Sequence, residues 1–416
     1  MTATRPSRYS GLRLIIALGA MVALGPLTID MYLPALPSIA DDLGTTAASV
    51  QLTLTGSLLG LGLGQLLAGP YSDAVGRRLP LVLGTVLHVL TSVLCAFTTD
   101  ITTLTALRVA QGLGAAATTV VAMAMVRDLH EGSTAARMIA HLMLVTGVAP
   151  VLAPSLGSAV LLAGSWRWVF GALAFIGAAL IAVAVFAVPE TLPAQRRKPL
   201  APRSVSQGFR TVLRDGDFVL LTLAAGLAFG SIFAYISGAP FVLRHQYGLD
   251  EQEFGLVFAL GAVALVGGTQ LNPLLLRRFT PLRIMSSATV VATTAACVLI
   301  FATAVRPGSL ACLLVPLAVV IGSIALVTPN ATALALSGHG QAAGTAASVL
   351  GAIRFALGSA IAPLVGVLGG DSTATAVVMA GSAATAFLLV LRLRSRQRPA
   401  RLPVAVVSAQ ISAPAA

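Results

Sequence analysis

Apolar stretches of about twenty or more residues recur along this chain, and they limit its fold more than any other feature. A stretch of that length crosses the hydrocarbon core of a bilayer as an α-helix, whereas a transmembrane β-strand needs only about ten residues of alternating character. The stretches do not alternate, so a β-barrel is excluded. The sequence therefore predicts an all-α integral membrane protein.

Twelve of these stretches are predicted to span the membrane, six on each side of a polar segment. The first six cover 13–36, 49–70, 79–98, 103–126, 138–162 and 167–188. The second six cover 218–241, 253–276, 282–304, 309–335, 341–369 and 372–393. We divide the chain into an N-terminal six-helix half (1–189), a cytoplasmic linker (190–217), a C-terminal six-helix half (218–394) and a disordered cytoplasmic tail (395–416).

Composition agrees with a membrane location and indicates the orientation. Hydrophobic residues make up 57% of the chain and charged residues 10%, with a mean hydropathy of +0.92, which excludes a soluble globular protein. The net charge of +12 comes from short basic clusters between apolar stretches, so we expect no nucleic-acid partner. Most of the 26 lysine and arginine residues lie in the terminal segments and in every second loop between the spans. Because positive residues stay on the cytoplasmic side, this asymmetry predicts that both termini are in the cytoplasm.

Several function classes lack their sequence requirements. The three cysteines are scattered without metal-ligand or disulfide spacing: Cys95, Cys297 and Cys312. The only lysine, Lys198, follows arginines instead of a glycine-rich turn, so no ATP-binding loop is predicted. No nucleophile lies beside a base. We expect no enzyme activity, no catalytic residue, no cofactor and no metal.

The two predicted halves echo each other. The turn Gly76-Arg77-Arg78-Leu79-Pro80 resembles Arg277-Arg278-Phe279-Thr280-Pro281, about two hundred residues later. Leu33-Pro34 is predicted to close the first helix much as Ala239-Pro240 closes the seventh. Two such repeats form a transporter whose binding site lies between the halves near mid-membrane.

The turn between the second and third spans carries the strongest motif. Its residues are Gly69, Asp73, Gly76, Arg77 and Arg78, in the spacing G-x-x-x-D-x-x-G-R-R. Glycine permits a tight turn, the carboxylate can face a helix N-terminus or a basic partner, and the arginines suit an anionic membrane surface. A plain basic turn would explain the charges alone. The full spacing resembles the signature of the major facilitator superfamily.

Two further segments extend the resemblance. Arg108-Val109-Ala110-Gln111-Gly112-Leu113-Gly114 is similar to the superfamily's R-x-x-x-G-x-G element. Gly147, Pro150, Pro154 and Gly157 resemble its antiporter motif, which implies an exporter whose fifth helix acts as a hinge or seal. Each proline removes a backbone donor and is expected to bend that helix, which is also common in other transporters.

Shorter segments resemble drug/proton antiporters of the bicyclomycin and chloramphenicol resistance type. They are 29–37, Arg127-Asp128-Leu129, 166–170, Pro189-Glu190-Thr191-Leu192 and 235–241. The resemblance implies proton-coupled export of small drug-like molecules across the bacterial inner membrane by alternating access, with Asp128 joining the gating motif. The alternative is an importer or facilitator of a sugar or another small metabolite. One departure is Arg354, because such proteins typically carry glutamine there.

Charges within the spans need partners or a wet cavity, because each costs at least about 2.5 kcal/mol in the bilayer. Asp30 and Arg108 lie at similar depths, about 8 Å from the outer ends of their helices, so they could pair. In one hypothesis Asp30 binds the coupling proton and Arg108 stabilises its ionised form. In the other, the two form a permanent structural bridge.

The remaining predicted site residues are polar groups expected to face the cavity: Tyr32, Gln111, Tyr235, Asn330 and Arg354. Each of the neutral ones could instead satisfy a neighbouring backbone group, above all Asn330. Arg354 in the cavity would favour neutral or acidic cargo over lipophilic cations. The expected partners are a small molecule, protons and the bilayer, and we expect a monomer.

Overall fold

The computed structural model describes residues 12–197, 202–305, 309–339 and 342–396. Within these residues, twelve helical spans are long and apolar enough to cross a membrane, and each predicted span has its counterpart. The bounds differ from the predicted ones by a few residues. The largest difference is in the first span, which continues to Asp42.

The helices follow one another in two sets of six spans. The first set consists of α1 (Leu12–Asp30), α2 (Leu36–Asp42), α3 (Ala47–Val75), α4 (Arg78–Phe97), α5 (Ile101–Leu129), α6 (Gly132–Leu162) and α7 (Arg167–Phe186). The connecting segment contains α8 (Pro202–Leu213). The second set consists of α9 (Gly216–Phe241), α10 (Glu251–Leu276), α11 (Pro281–Val305), α12 (Leu310–Ser337), α13 (Ala343–Ile361), α14 (Leu364–Val367) and α15 (Ser372–Arg396).

Two prolines that were predicted to close their helices lie within their spans instead. The first helix does not close at Leu33-Pro34: α1 already ends at Asp30, a 3₁₀ turn covers Leu33–Ala35, and α2 continues the span. Pro34 fits there because the first residues of a helical turn need no donor. Pro240 lies inside α9, and a π-helical turn, Val242–Gln246, follows directly. Both prolines interrupt their spans without ending them.

Small residues bring α3 and α5 into close contact. A Cβ atom on Gly60 would overlap the carbonyl oxygen of Val109, and one on Gly112 would overlap that of Ser57. Helices in lipid associate mainly through such close packing and interhelical hydrogen bonds. Gly112 belongs to the R-x-x-x-G-x-G element, so this part of the motif has a packing role.

The bundle has two ends, which we name by their contents. The linker end carries residues 76–77, the connecting segment with α8, and the start of α13; the far end carries the start of α3 and the end of α9. At the linker end, α8 packs beside α13, where Gly208 is next to Thr345. The predicted linker thus contains a helix. The predicted tail lies outside the described residues from 397 onward.

Candidate transport site

Asp30 is the last residue of α1, and its side chain is buried. Among the described residues, no hydrogen bond or ion pair reaches its carboxylate. It also lies at the negative end of the α1 helix dipole, which offers an anion no compensation. A charged carboxylate at this place would therefore be costly, and a proton would remove that cost.

The predicted pair between Asp30 and Arg108 is absent from the described residues, which corrects the expectation from depth. Arg108 is fully buried and donates instead to the Thr28 carbonyl oxygen, at 3.0 Å. The Thr28 hydroxyl lies 2.8 Å from His88 Nε2 of α4. Side chains two residues apart on a helix point about 200° apart. Because the Thr28 side of α1 faces α4 and α5, the Asp30 side faces away from Arg108.

Arg108 is enclosed within the N-terminal half. Its guanidinium lies 4.3 Å from the ring centroid of Tyr32 and 5.7 Å from that of Phe170. It also donates to Gln111 Oε1 at 2.6 Å, and Gln111 donates to Ser92 at 2.7 Å. The Tyr32 hydroxyl lies 2.8 Å from that of Thr53. Tyr32 and Gln111, predicted to face the cavity, are thus buried in this network.

In the C-terminal half, the predicted residues Tyr235 and Asn330 have different partners. Tyr235 stacks on Phe258 at 5.2 Å, and its buried hydroxyl has no partner among the described residues. Asn330 donates to Asn272 Oδ1 at 2.6 Å and to the Leu326 carbonyl oxygen at 2.7 Å. Asn330 therefore bonds within its own half, the role that the sequence favoured for it. Asn272, which sequence analysis missed, is its partner.

At the linker end, Arg77 forms the centre of an ion-pair cluster. Its guanidinium lies 2.5 Å from Asp73 and 2.8 Å from Asp128, and Thr191 donates to Asp128 at 3.0 Å. Burial acts to lower the pKa of Arg77, but the hydrogen bonds to the two carboxylates outweigh it and hold that pKa above its ordinary value. Gly76 precedes it with a φ of 103°, which requires glycine. Asp73 thus has a basic partner, one of the two roles that the sequence offered for it, and Asp128 joins the same cluster.

Glu190, rather than Asp73, faces a helix N-terminus. Its carboxylate accepts from the backbone N–H groups of Arg77 at 2.8 Å and Arg78 at 3.2 Å, where α4 begins, and from Leu192 at 2.9 Å. Burial acts to raise the pKa of Glu190, but these hydrogen bonds outweigh it and lower that pKa. Sequence analysis quoted Glu190 only as part of a family segment. Its position after an apolar span was the available signal.

The antiporter helix α6 runs unbroken through Pro150 and Pro154. Gly157, near its end, lies against the Met31 carbonyl oxygen in the break after α1, whereas a Cβ on Gly147 would have no atom of the described residues within 4 Å. The two glycines singled out on this helix thus have different surroundings. Gly157 is the one that brings α6 against the residue next to Asp30.

The two halves are hydrogen-bonded to each other at the far end. The Gln51 side chain donates to the Ser237 carbonyl oxygen at 3.1 Å and accepts from the Gly366 backbone N–H at 2.9 Å. Thr55 donates to the Ser359 carbonyl oxygen at 3.1 Å. At the linker end, the ion pairs of Arg77 lie within the N-terminal half. The pairs His339–Asp215 and Arg396–Asp217 lie outside that half.

Comparison with known proteins decides the family. The family model described as Major Facilitator Superfamily matches residues 17–363. The chain belongs to the major facilitator superfamily. The predicted family and fold are thereby confirmed, and the protein is a multi-pass transporter of the bacterial inner membrane that handles small molecules.

Relatives within the superfamily agree with the predicted type. The chain is 37% identical to the uncharacterized MFS-type transporter YdgK of Bacillus subtilis (strain 168), over 87% of this chain and 90% of that protein. It is 29% identical to a bicyclomycin resistance protein homolog of Haemophilus influenzae, over 88% and 92%. Among solved structures, a bacterial homolog of the human lysosomal transporter Spinster superposes with a TM-score of 0.71 at 16% identity, over 94% of this chain and 96% of that one.

Proposed function

We propose that this transporter exports small drug-like molecules from the cytoplasm in exchange for protons. The observation that carries the proposal is Asp30, a buried carboxylate with no partner among the described residues, at the break between α1 and α2. Such a group is stable as the neutral acid and costly as an anion, so it suits reversible proton binding. The relative associated with bicyclomycin resistance supports a drug-like cargo.

The distribution of lysine and arginine supports an orientation with the termini and the linker end in the cytoplasm. The far end is then periplasmic, and the hydrogen bonds of Gln51 and Thr55 close it between the halves. We therefore infer a conformation that receives cargo from the cytoplasm. Alternating access requires these bonds to break while the two halves, 1–189 and 218–394, approach each other at the linker end.

Several of the predicted residues then have a proposed role. Asp30 releases its proton to the cytoplasm as cargo binds and takes another from the periplasm after cargo leaves. Arg108 acts on this exchange through the positive field of its buried guanidinium, without direct contact. The Arg77 cluster, with Gly69, Asp73, Gly76, Arg78 and Asp128, gates the cytoplasmic side. The polar groups of the two halves, including Tyr235, meet cargo as the halves move.

Transport into everted membrane vesicles tests this function. Chloramphenicol, a neutral compound, ethidium, a cation, and nalidixate, an anion, are supplied outside vesicles whose interior is acidified, and uptake is followed with and without nigericin. We expect uptake of at least one compound that nigericin abolishes. Uptake insensitive to the acid gradient contradicts proton exchange, and movement of cargo in the same direction as protons indicates an importer.

A further inference from the structure

Arg354 is a cation inside a span with no acidic partner. It lies on α13, partly exposed, and none of the ion pairs among the described residues includes it. Its Nε is buried without a hydrogen-bond partner among the same residues. A cation within the bilayer is costly unless something compensates for it. The described residues leave this charge largely uncompensated.

Two phenyl rings flank the Arg354 guanidinium. Its central carbon lies 4.8 Å from the ring centroid of Phe229 on α9 and 5.4 Å from that of Phe355 on α13, and the two rings meet edge to face at 5.2 Å. Cation–π contacts hold the guanidinium in place but supply no negative charge. The arrangement leaves the guanidinium's outer N–H groups without acceptors among the described residues.

The position of Arg354 is between the two halves. One turn earlier on α13, a Cβ atom on Gly351 would overlap Oε1 of Gln65, which belongs to α3 of the other half. About one turn later, Ser359 accepts the cross-half hydrogen bond from Thr55. The Gln65 amide also has no hydrogen bond within the part of the chain that the structure describes. Arg354, uncompensated by the described residues, and the unused amide of Gln65 therefore lie about one helical turn apart along α13, at the inter-half contact.

We propose that Arg354 is the subsite for the acidic group of the cargo, and that the cargo class is planar aromatic acids. The inference rests on the proposed export function of the cleft between the halves. A planar guanidinium binds a carboxylate through two parallel hydrogen bonds, and Gln65 supplies a further donor. Phe229 and Phe355 offer faces against which an aromatic ring packs. Arg108 does not compete for the acid, because Tyr32 and Phe170 enclose it.

Binding to the full-length protein in lipid nanodiscs tests the subsite without any gradient. The probes are three aromatic acids, nalidixate, salicylate and indole-3-acetate, each compared with its methyl ester at pH 7.5. We expect at least one acid to bind about tenfold more tightly than its ester. Arg354→Gln is expected to abolish that preference while ester binding stays the same, and Arg354→Lys to retain part of it.

The control is Arg278→Gln, which removes an equal charge from an exposed position next to the end of α10. It should keep the preference for the acid. Equal binding of acid and ester in all three pairs, including no binding of either, overturns the proposal, as does a preference that survives Arg354→Gln. Gradient-driven export restricted to neutral or cationic compounds would support the proposed function and still overturn this subsite. Preferential binding of the acid without gradient-driven export of any compound would support this subsite and contradict the proposed export function.

Discussion

Gly157 of α6 lies so close to Met31 that a Cβ atom on Gly157 would overlap the Met31 carbonyl oxygen. Met31 directly follows Asp30, in the short break between α1 and α2. The antiporter helix therefore supports the backbone beside the proposed proton site. This contact links a motif known by resemblance to a carboxylate singled out by its burial, and it leads to the first prediction.

Gly157→Ala should weaken the packing of α6 on α1. The added methyl group meets backbone, which cannot move aside as a flexible side chain would, so we expect a loss of about 1–3 kcal/mol. The apparent unfolding temperature in detergent and the rate of vesicle transport measure the effect. Gly147→Ala is the matched control, because no atom in the part of the chain that the structure describes lies within 4 Å of its new Cβ. Equal behaviour of the two variants would contradict the contact.

Asp30→Asn should uncouple transport from protons. Asparagine keeps the shape of the neutral acid but cannot exchange a proton, so export driven by an acid gradient should fall at least about tenfold while downhill cargo movement persists. Uptake into everted vesicles, with and without the gradient, separates the two. Asp41→Asn, at an exposed position on the same span, should behave like the parent. Normal proton coupling in the Asp30→Asn variant would show that Asp30 has only a structural role.

Gln51→Ala should open the far end of the bundle. The substitution removes both hydrogen bonds that the Gln51 side chain makes to the C-terminal half. A loss of about 1–3 kcal/mol in the stability of the closed far end corresponds to a several-fold or larger shift between conformations. In a background that carries Cys297→Ser and Cys312→Ser, spin labels at Asp41→Cys and Leu368→Cys, both exposed at the far end, report the separation of the halves. We expect the longer-distance population to grow. Gln207→Ala, on α8, provides the control, and an unchanged distance distribution in Gln51→Ala would refute the seal.

Glu190→Gln should destabilise the protein in a pH-dependent way. Hydrogen bonds hold the pKa of Glu190 below its ordinary value, so folding favours its ionised form. Its contribution is present above the unfolded-state pKa of about 4.3 and is lost as pH falls through the lower pKa of the folded protein. We expect a cost of about 0.3–1 kcal/mol at pH 7, the usual range for a charge at a helix N-terminus.

The measurement is the apparent unfolding temperature of parent and variant at pH 7 and near pH 3. The difference between them should narrow at the lower pH, because acidification moves the parent carboxylate toward its neutral form. Glu131→Gln is the control, because Glu131 precedes α6 without a side-chain hydrogen bond to it. A difference that stays constant or widens on acidification would be inconsistent with Glu190 acting as an ionised cap.

The spans were predictable because hydropathy and length are local properties of the chain. All twelve apolar stretches appear as helical spans in the described residues. The motif cluster was also within reach, since Asp73, Gly76 and Arg77 are neighbours in sequence and Asp128 came with the family segment. Glu190 was missed as a helix cap because it reaches α4 from more than a hundred residues away.

The pairing of Asp30 with Arg108 shows where prediction failed. Residue counting gives the depth of a side chain along a helix axis, but the direction in which it points depends on how that helix is rotated against its neighbours. Thr28 faces His88, so Asp30 cannot face Arg108. Similarly, the sequence placed Tyr32 and Gln111 on spans near a cavity, while their hydrogen bonds lie inside one half.

The sequence by itself determined that this chain is a membrane protein of two six-helix halves with a superfamily signature, because long apolar stretches and short motifs act through nearest neighbours and through the lipid solvent. The tertiary structure alone decided which charges are compensated: Arg77 by two carboxylates, Arg108 by carbonyl, amide and aromatic groups, and Asp30 and Arg354 by no opposite charge among the described residues. Helix rotation and packing between distant segments set those distances, and local sequence does not encode them.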